Sequence, residues 1–408
     1  MNKYENSAAA GRLSVHTGVW ALAVTAFAIG VAEFIVVGVL PAISHDLGVS
    51  LARAGSLVGL YALALAVGTP VTVLALARFP RKPVLLTLVA IFLLGNLLSA
   101  LSTNFNSLLL GRIVTAIMHG SFFAIGATVA ASLAPKGQAS KAIAAMFAGL
   151  TLAMVIGVPL GSMLGNSYGW RLPFYAVVVL AALAWLATAY WLPSVSTPES
   201  GKLSTQLSAL VHPAILAMMA ITAMGFGASF ASFAYITPIL INITGFTPTT
   251  ASALLMVFGV ATLIGNLAGG RVTASLGWQI ALARMFVLLA IVLAALAFLL
   301  PYRIPVIALL FAWGAIAFGM SPGFQTGMLA TAERYTPRAQ DFASALNISA
   351  FNLGIALGES LGGVMVARGD IGLTPWAGVA VVMLGLLPLW WLSRRTPAVQ
   401  VGEQPQQA

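Results

Sequence analysis

Cysteine is absent from these 408 residues, and charge is scarce: Asp, Glu, Lys and Arg make up only 7% of the chain. Without thiols there is no disulfide, no thiolate metal site and no thiol chemistry. So little charge cannot cover the surface of a water-soluble protein of this length. A Walker-type phosphate loop is missing, which argues against ATP-driven work, and no HExxH pattern offers a metal site. No nucleophile and base fall together as an intramembrane enzyme would need. The chain is therefore expected to be no enzyme, with no catalytic residue, no metal and no organic cofactor.

What is there is hydrocarbon. Hydrophobic residues make up 60% of the sequence and mean hydropathy is +1.00. A helix needs roughly 20 apolar residues to cross a bilayer. Such runs recur at 19–43, 51–77, 83–102, 107–133, 141–166, 172–192, 213–240, 249–275, 279–299, 304–332, 339–367 and 373–393. They are continuous rather than alternating, which excludes barrel strands. The expectation is an all-α membrane protein with twelve transmembrane helices and membrane lipid over most of its exterior. The polar residues 1–18 precede an apolar run too long for a signal-peptide core, so the first helix is expected to stay uncleaved.

The net charge of +10 would suggest nucleic acid in a soluble protein, but its placement points elsewhere. With the N-terminus inside, Lys3, Arg12, Arg78, Arg81, Lys82, Lys136, Lys141, Lys202, Arg271, Arg284, Arg334, Arg338, Arg394 and Arg395 fall on the cytoplasmic side. Only Arg53, Arg171, Arg303 and Arg368 fall opposite, and Arg112 is intramembrane. That asymmetry follows the positive-inside rule and predicts two cytoplasmic termini, with no nucleic-acid partner.

Residues 193–212, "PSVSTPESGKLSTQLSALVH", form the longest polar break and divide the spans six and six. This predicts a six-helix bundle at 19–192, a cytoplasmic linker at 193–212, a second bundle at 213–393 and a cytoplasmic tail at 394–408. The halves repeat. A shift of 197 places Gly30 on Gly227, Pro41 on Pro238, Gly48 on Gly245 and Gly68 on Gly265. A shift of 201 places Gly126 on Gly327, Gly157 on Gly358 and Gly161 on Gly362. Two like bundles can rock about the cleft between them, which is the geometry of alternating access.

Three stretches carry a family likeness. "GVAEFIVVGVLPAISHDLGVS" has an acid followed by Gly and Pro in the first span. "LLLGRIVTAIMHGSFFAIGA" sets Arg112 before Gly120 and Gly126. "GVPLGSMLG" spaces Gly157, Pro159, Gly161 and Gly165 along one closely packed seam. Together they resemble the major facilitator superfamily, in its twelve-span drug:proton antiporter branch, and within it bacterial sugar-efflux and arabinose-efflux transporters. The likeness covers residues 19–393. It implies two pseudo-symmetric six-helix bundles, a bacterial inner membrane, and a monomer that exchanges a small-molecule substrate for a proton as coupling ion. The helix 5 seam is associated with exporters more than importers. One departure is Ala77, where the loop motif with Gly68, Arg78, Arg81 and Lys82 usually has Asp.

Charged groups at bilayer depth are unfavourable by several kcal/mol unless paired, neutralised or wet. Glu33 and Glu359 are the acids inside spans, joined by Arg112 and His119 from the fourth. The resemblance implies that helices 1, 4, 7 and 10 line the cavity, so Glu33, Arg112 and His119 are expected to converge and handle the proton, with Glu359 a further candidate. The competing readings are structural: a permanently protonated Glu33, a snorkelling Arg112, a packing His119, an interhelical hydrogen bond at Glu359. Under the repeat, Glu33, Arg112 and His119 map on Phe230, Trp313 and Met320. With Phe226 and Phe324 these predict an apolar substrate wall in the second half, unless they are ordinary packing residues. Arg78, Arg81 and Lys82 could pair with Glu333 and Asp341 as a cytoplasmic gate. The expected function is proton-coupled efflux of small amphipathic compounds, drugs or sugars. The alternatives are proton symport or facilitated uptake of a nutrient such as a sugar or nucleoside and, more distantly, a non-transporting receptor or scaffold, which the short loops disfavour.

Overall fold

The computed structural model describes residues 16–76, 78–134, 139–195 and 207–395. Twelve helices are long and apolar enough to span a membrane. They are α1 (Thr17–Asp46), α2 (Leu51–Leu76), α3 (Arg81–Ala100), α4 (Phe105–Ser132), α5 (Ala142–Tyr168) and α6 (Arg171–Trp191). The second set is α7 (Pro213–Asn242), α8 (Pro248–Leu276), α9 (Trp278–Leu299), α10 (Arg303–Tyr335), α11 (Phe342–Ala367) and α12 (Ile371–Arg395). Every end lies within about three residues of the hydropathy runs, because apolar length sets a span. Ala77 lies outside the described residues.

An even number of spans puts the start of α1 and the end of α12 on one face, here the terminal face; the other is the distal face. Exposed Trp20, Tyr190, Trp191 and Trp390 stand near the terminal ends of their helices, and Tyr168, Tyr302 and Trp376 near the distal ends. Aromatic rings at both depths are what the two bilayer interfaces favour. Between them, Val67, Val71, Leu267 and Leu387 present bare hydrocarbon.

The duplication read from the sequence is physical. In the first half α1 packs on α5 and α6, α2 on α4, and α3 on α4 and α6. In the second, α7 packs on α11 and α12, α8 on α10, and α9 on α10 and α12. Each pair maps on its counterpart, so two pseudo-symmetric six-helix bundles face each other. They meet along two related seams, α2 against α11 and α5 against α8. Gly48 and Gly245, matched by the repeat, both follow the ends of their spans with positive φ (59° and 76°). Without a Cβ, glycine takes that turn at little steric cost.

Glycines set the helix spacing. A Cβ on Gly157, Gly161 or Gly165 of α5 would strike Val31, Ile35 or Val39 of α1. Their counterparts Gly358 and Gly362, with Gly354, leave equally little room between α11 and the α7 backbone at Gly227, Ala231 and Ala223. Association in lipid depends on such close approach, since lipid offers no hydrophobic drive between helices.

Prolines shape the spans. Pro159 cannot donate to the carbonyl four residues back, and α5 loosens there into a π turn over Ala153–Gly157. Helix α7 breaks at Ala234 and Tyr235, just ahead of Pro238. Its counterpart Pro41 leaves α1 continuous. The carbonyl that Pro41 frees, on Val37, accepts instead from Thr237 Oγ1 of the other half at 2.8 Å.

Candidate transport site and gates

Arg112 of α4 is 1% exposed. Its partners are not acids. Nη1 donates to the Ala32 carbonyl and Nη2 to the Glu33 carbonyl at 3.1 Å, so the guanidinium clamps α4 to the backbone of α1. The planar fork suits two neighbouring carbonyls. Beneath it lies the Tyr61 ring of α2, 3.9 Å from the guanidinium carbon. Tyr61 Oη shares a hydrogen bond of 3.0 Å with His119 Nδ1, and the His119 ring meets Phe123 at 5.1 Å. Two turns separate Arg112 from His119, which is why one face of α4 reaches both α1 and α2.

Glu33 sits at the edge of this cluster, partly buried. Its backbone takes the arginine, whereas among the described residues its carboxyl has neither a hydrogen bond nor an ion pair, the only ion pair being Arg171–Asp46. Glu33, Arg112 and His119 are thus brought together, with Tyr61 as a link that hydropathy alone does not reveal. A lone carboxyl at this depth is stable only as the neutral acid or with water beside it.

Glu359 lies elsewhere, on α11 at the seam with α2. Tyr235 Oη donates to its Oε1 at 2.6 Å, and its Oε2 lies against Gly59 of α2. The other seam is neutral: Ser162 Oγ of α5 meets Ser252 Oγ of α8 at 2.7 Å, and Asn166 Nδ2 donates to Ser252 Oγ at 3.1 Å. These two bonds and Thr237–Val37 are the hydrogen bonds between halves among the described residues. All lie in the distal half of their helices, so the distal side is closed.

The predicted apolar residues gather in one aromatic core. Phe226 contacts Phe318 and Phe324, Phe230 contacts Phe233, and the Trp313 ring meets Phe233 and Phe258, with Nε1 donating to Ser229 Oγ at 3.2 Å. Phe226, Phe230, Trp313, Met320 and Phe324 are each at most 1% exposed, so in this conformation they pack inside the second half. Phe230 alone among them reaches across, to Phe34 at 6.4 Å. A small apolar cavity at the junction is bordered by Phe34, Val37, Met154, Phe233, Leu255 and Phe258.

At the terminal face Arg78 and Glu333 are exposed and Arg81 and Lys82 partly so. No ion pair joins them here, and the Asp341 side chain lies outside those described. Nearby, Thr222 Oγ1 donates to Asn347 Oδ1, Asn347 Nδ2 to Gln325 Oε1, and Gln325 Nε2 to Ser344 Oγ, tying α7, α10 and α11. Three helices supply this chain, so no single run of sequence announces it.

Known proteins of similar sequence and shape fit this architecture. The Major Facilitator Superfamily pattern matches residues 22–326 and 219–407. The uncharacterized MFS-type transporter YtbD of Bacillus subtilis is 39% identical over 91% of this chain and 94% of its own. The inner membrane transport protein YdhP of Escherichia coli is 36% identical over 92% and 96%. The putative transporter AraJ of the same organism is 33% identical over 85% and 87%. Among solved structures, a D-xylose-proton symporter superimposes with a TM-score of 0.75 at 16% identity, covering 92% of this chain and 97% of that one. An inward-facing, occupied bacterial homologue of the lysosomal transporter Spinster gives 0.74 at 17%, over 92% and 96%. Family-wide sequence agreement and two facing bundles converge: the chain belongs to the major facilitator superfamily and is a multi-pass membrane transporter.

Proposed function

We propose that this transporter is a proton-coupled exporter of small amphipathic compounds, drugs or sugars, working by alternating access in the bacterial inner membrane. The observation that carries the reading is the Glu33 carboxyl, set midway along α1 beside Arg112 and yet unpaired among the described residues, while Arg112 gives its Nη donors to the Ala32 and Glu33 carbonyls. Arg112 is then a positioning residue that fixes α1, while Glu33 takes and gives up the proton as the cleft opens to each side. Tyr61 and His119 hold the far end of the cluster.

The terminal face is read as cytoplasmic, on the strength of its surplus of Lys and Arg. The distal seams are closed and no hydrogen bond or ion pair joins the halves at the terminal side among the described residues, which supports an inward-facing state. Substrate is proposed to meet Phe34, Phe233 and Phe258 at the junction cavity, with Phe230 behind them. Export rather than uptake rests on the "GVPLGSMLG" seam, which holds α5 to α1. Inverted membrane vesicles test this: an imposed pH gradient should drive uptake of an exported dye or sugar, and Glu33→Gln should abolish it with the protein still folded. Undiminished gradient-driven transport by that variant would refute the assignment.

A further inference from the structure

The two seams between the bundles are related by the repeat but closed by different chemistry. Shifts of 197 and 201 place Gly38, Ser252 and Ser162 on Tyr235, Gly55 and Gly363. At the α1–α5–α8 seam, Ser162 fills the space over Gly38 and shares a hydrogen bond with Ser252. At the α7–α11–α2 seam the sizes are exchanged. The Tyr235 phenol fills the space over Gly55 and Gly363, and behind it the Glu359 carboxyl presses on Gly59. Glu359 is 3% exposed although it lies directly between the two halves.

The surroundings of this carboxyl are nearly devoid of charge. From α7 it meets Tyr235; α2 offers Gly55 and Gly59, and its own Arg53 is stacked on Phe105 at 4.8 Å. On α10, Arg303 reaches the Gly245 carbonyl, and on α12 Arg394 and Arg395 stack on Trp390 and Trp391 at the terminal end. On α11 itself, Arg368 lies beyond the helix end. No cation pairs with Glu359 among the described residues. One phenol hydrogen bond does not compensate a carboxylate sealed from water between two helices.

We propose that Glu359 and Tyr235 form a proton-operated lock on the distal side, which lets the α2–α11 seam close only when the Glu359 carboxyl carries a proton. When the seam parts, water from the distal side reaches the carboxyl, which ionises; to close again it must recover a proton from that side. The lock thus differs in kind from Glu33. Its proton enters and leaves by the same face, so it does not drive transport but makes closure respond to distal pH. The proposal rests on the alternating-access reading.

The absence of cysteine makes the test clean. Ser252→Cys places a thiol in the closed neutral seam, away from Glu359, and Ile304→Cys, at an exposed distal position, corrects for the reagent's own pH dependence. In the full-length protein in right-side-out vesicles, a membrane-impermeant maleimide is applied between about pH 5 and about pH 9, a range wide enough for a carboxyl shifted either way. The ratio of Ser252→Cys to Ile304→Cys labelling should rise with pH, by at most about tenfold per unit for one linked proton. In Glu359→Gln it should stay low and vary by less than about twofold, whereas Glu33→Gln should keep the rise. Glu359→Asp should also keep it, and Tyr235→Phe, which removes the phenol's hydrogen bond to Glu359 from the closed seam, should raise labelling already at the low-pH end. A pH-dependent ratio that persists in Glu359→Gln overturns the lock alone, as does low-pH labelling in Tyr235→Phe no higher than in the parent. A Ser252→Cys thiol unlabelled at every pH in every background overturns the lock together with alternating access.

Discussion

Thr237→Val should tip the transporter toward its distal-open state. Thr237 Oγ1 donates to the Val37 carbonyl at 2.8 Å, and that carbonyl is available because Pro41 has no N–H to offer it. Valine keeps the shape of threonine and removes only the hydroxyl. With the distal side closed, the carbonyl then has no donor; with it open, water supplies one. The variant therefore penalises one state selectively. Side-chain hydrogen bonds between membrane helices contribute about 0.6 kcal/mol on average and about 1.7 kcal/mol at most. The ratio of distal-open to distal-closed molecules should rise by a factor between about three and about twenty, since each 1.4 kcal/mol is tenfold. Spin labels at His45→Cys and Asn242→Cys, repeat partners at the distal ends of α1 and α7, report the two populations as distances. The decisive control is Pro41→Ala, which returns an N–H to the Val37 carbonyl; there Thr237→Val should shift the populations by less than about twofold. No shift from Thr237→Val in the parent, or an equal shift in the Pro41→Ala background, would refute the reasoning.

Other consequences follow from the packing and the clamp. Gly161→Val should lower the Tm of the solubilised protein, because a side chain there strikes Ile35 of α1. Gly270→Ala should raise it, by about 0.5–1 kcal/mol of stability, since a Cβ there meets only Pro322 at 3.9 Å and alanine is the better helix former. Arg112→Lys should lose transport although charge is conserved, because one ammonium cannot serve the Ala32 and Glu33 carbonyls as the fork does. Substrate binding by that variant, measured by fluorescence, should weaken together with transport.

Span number, span ends and the duplication were legible in the sequence because each has a one-dimensional signature: apolar length, glycine and proline at fixed offsets. Intramembrane acids were legible for the same reason, as charge where hydrocarbon is expected. Their partners were not. Tyr235 and Glu359 are 124 residues apart, and nothing local to either names the other. Arg112 invites a carboxylate partner, yet the structure gives it backbone carbonyls, which carry no sequence identity at all. The matched prolines Pro41 and Pro238 act differently, one helix continuous and the other broken, and among the described residues only the first has its freed carbonyl met by a donor from the opposite half. The apolar residues mapped by the repeat do gather, but hydropathy cannot separate a cavity wall from a packed interior, and here they are interior.

The central claim is that Glu33 exchanges its proton for substrate. Proton release measured on adding an exported substrate to the purified, weakly buffered protein tests it most directly, across a panel of amphipathic compounds and sugars. The account predicts release of up to one proton per bound substrate, absent in Glu33→Gln and retained in Glu359→Gln. Release that persists undiminished in Glu33→Gln would contradict it.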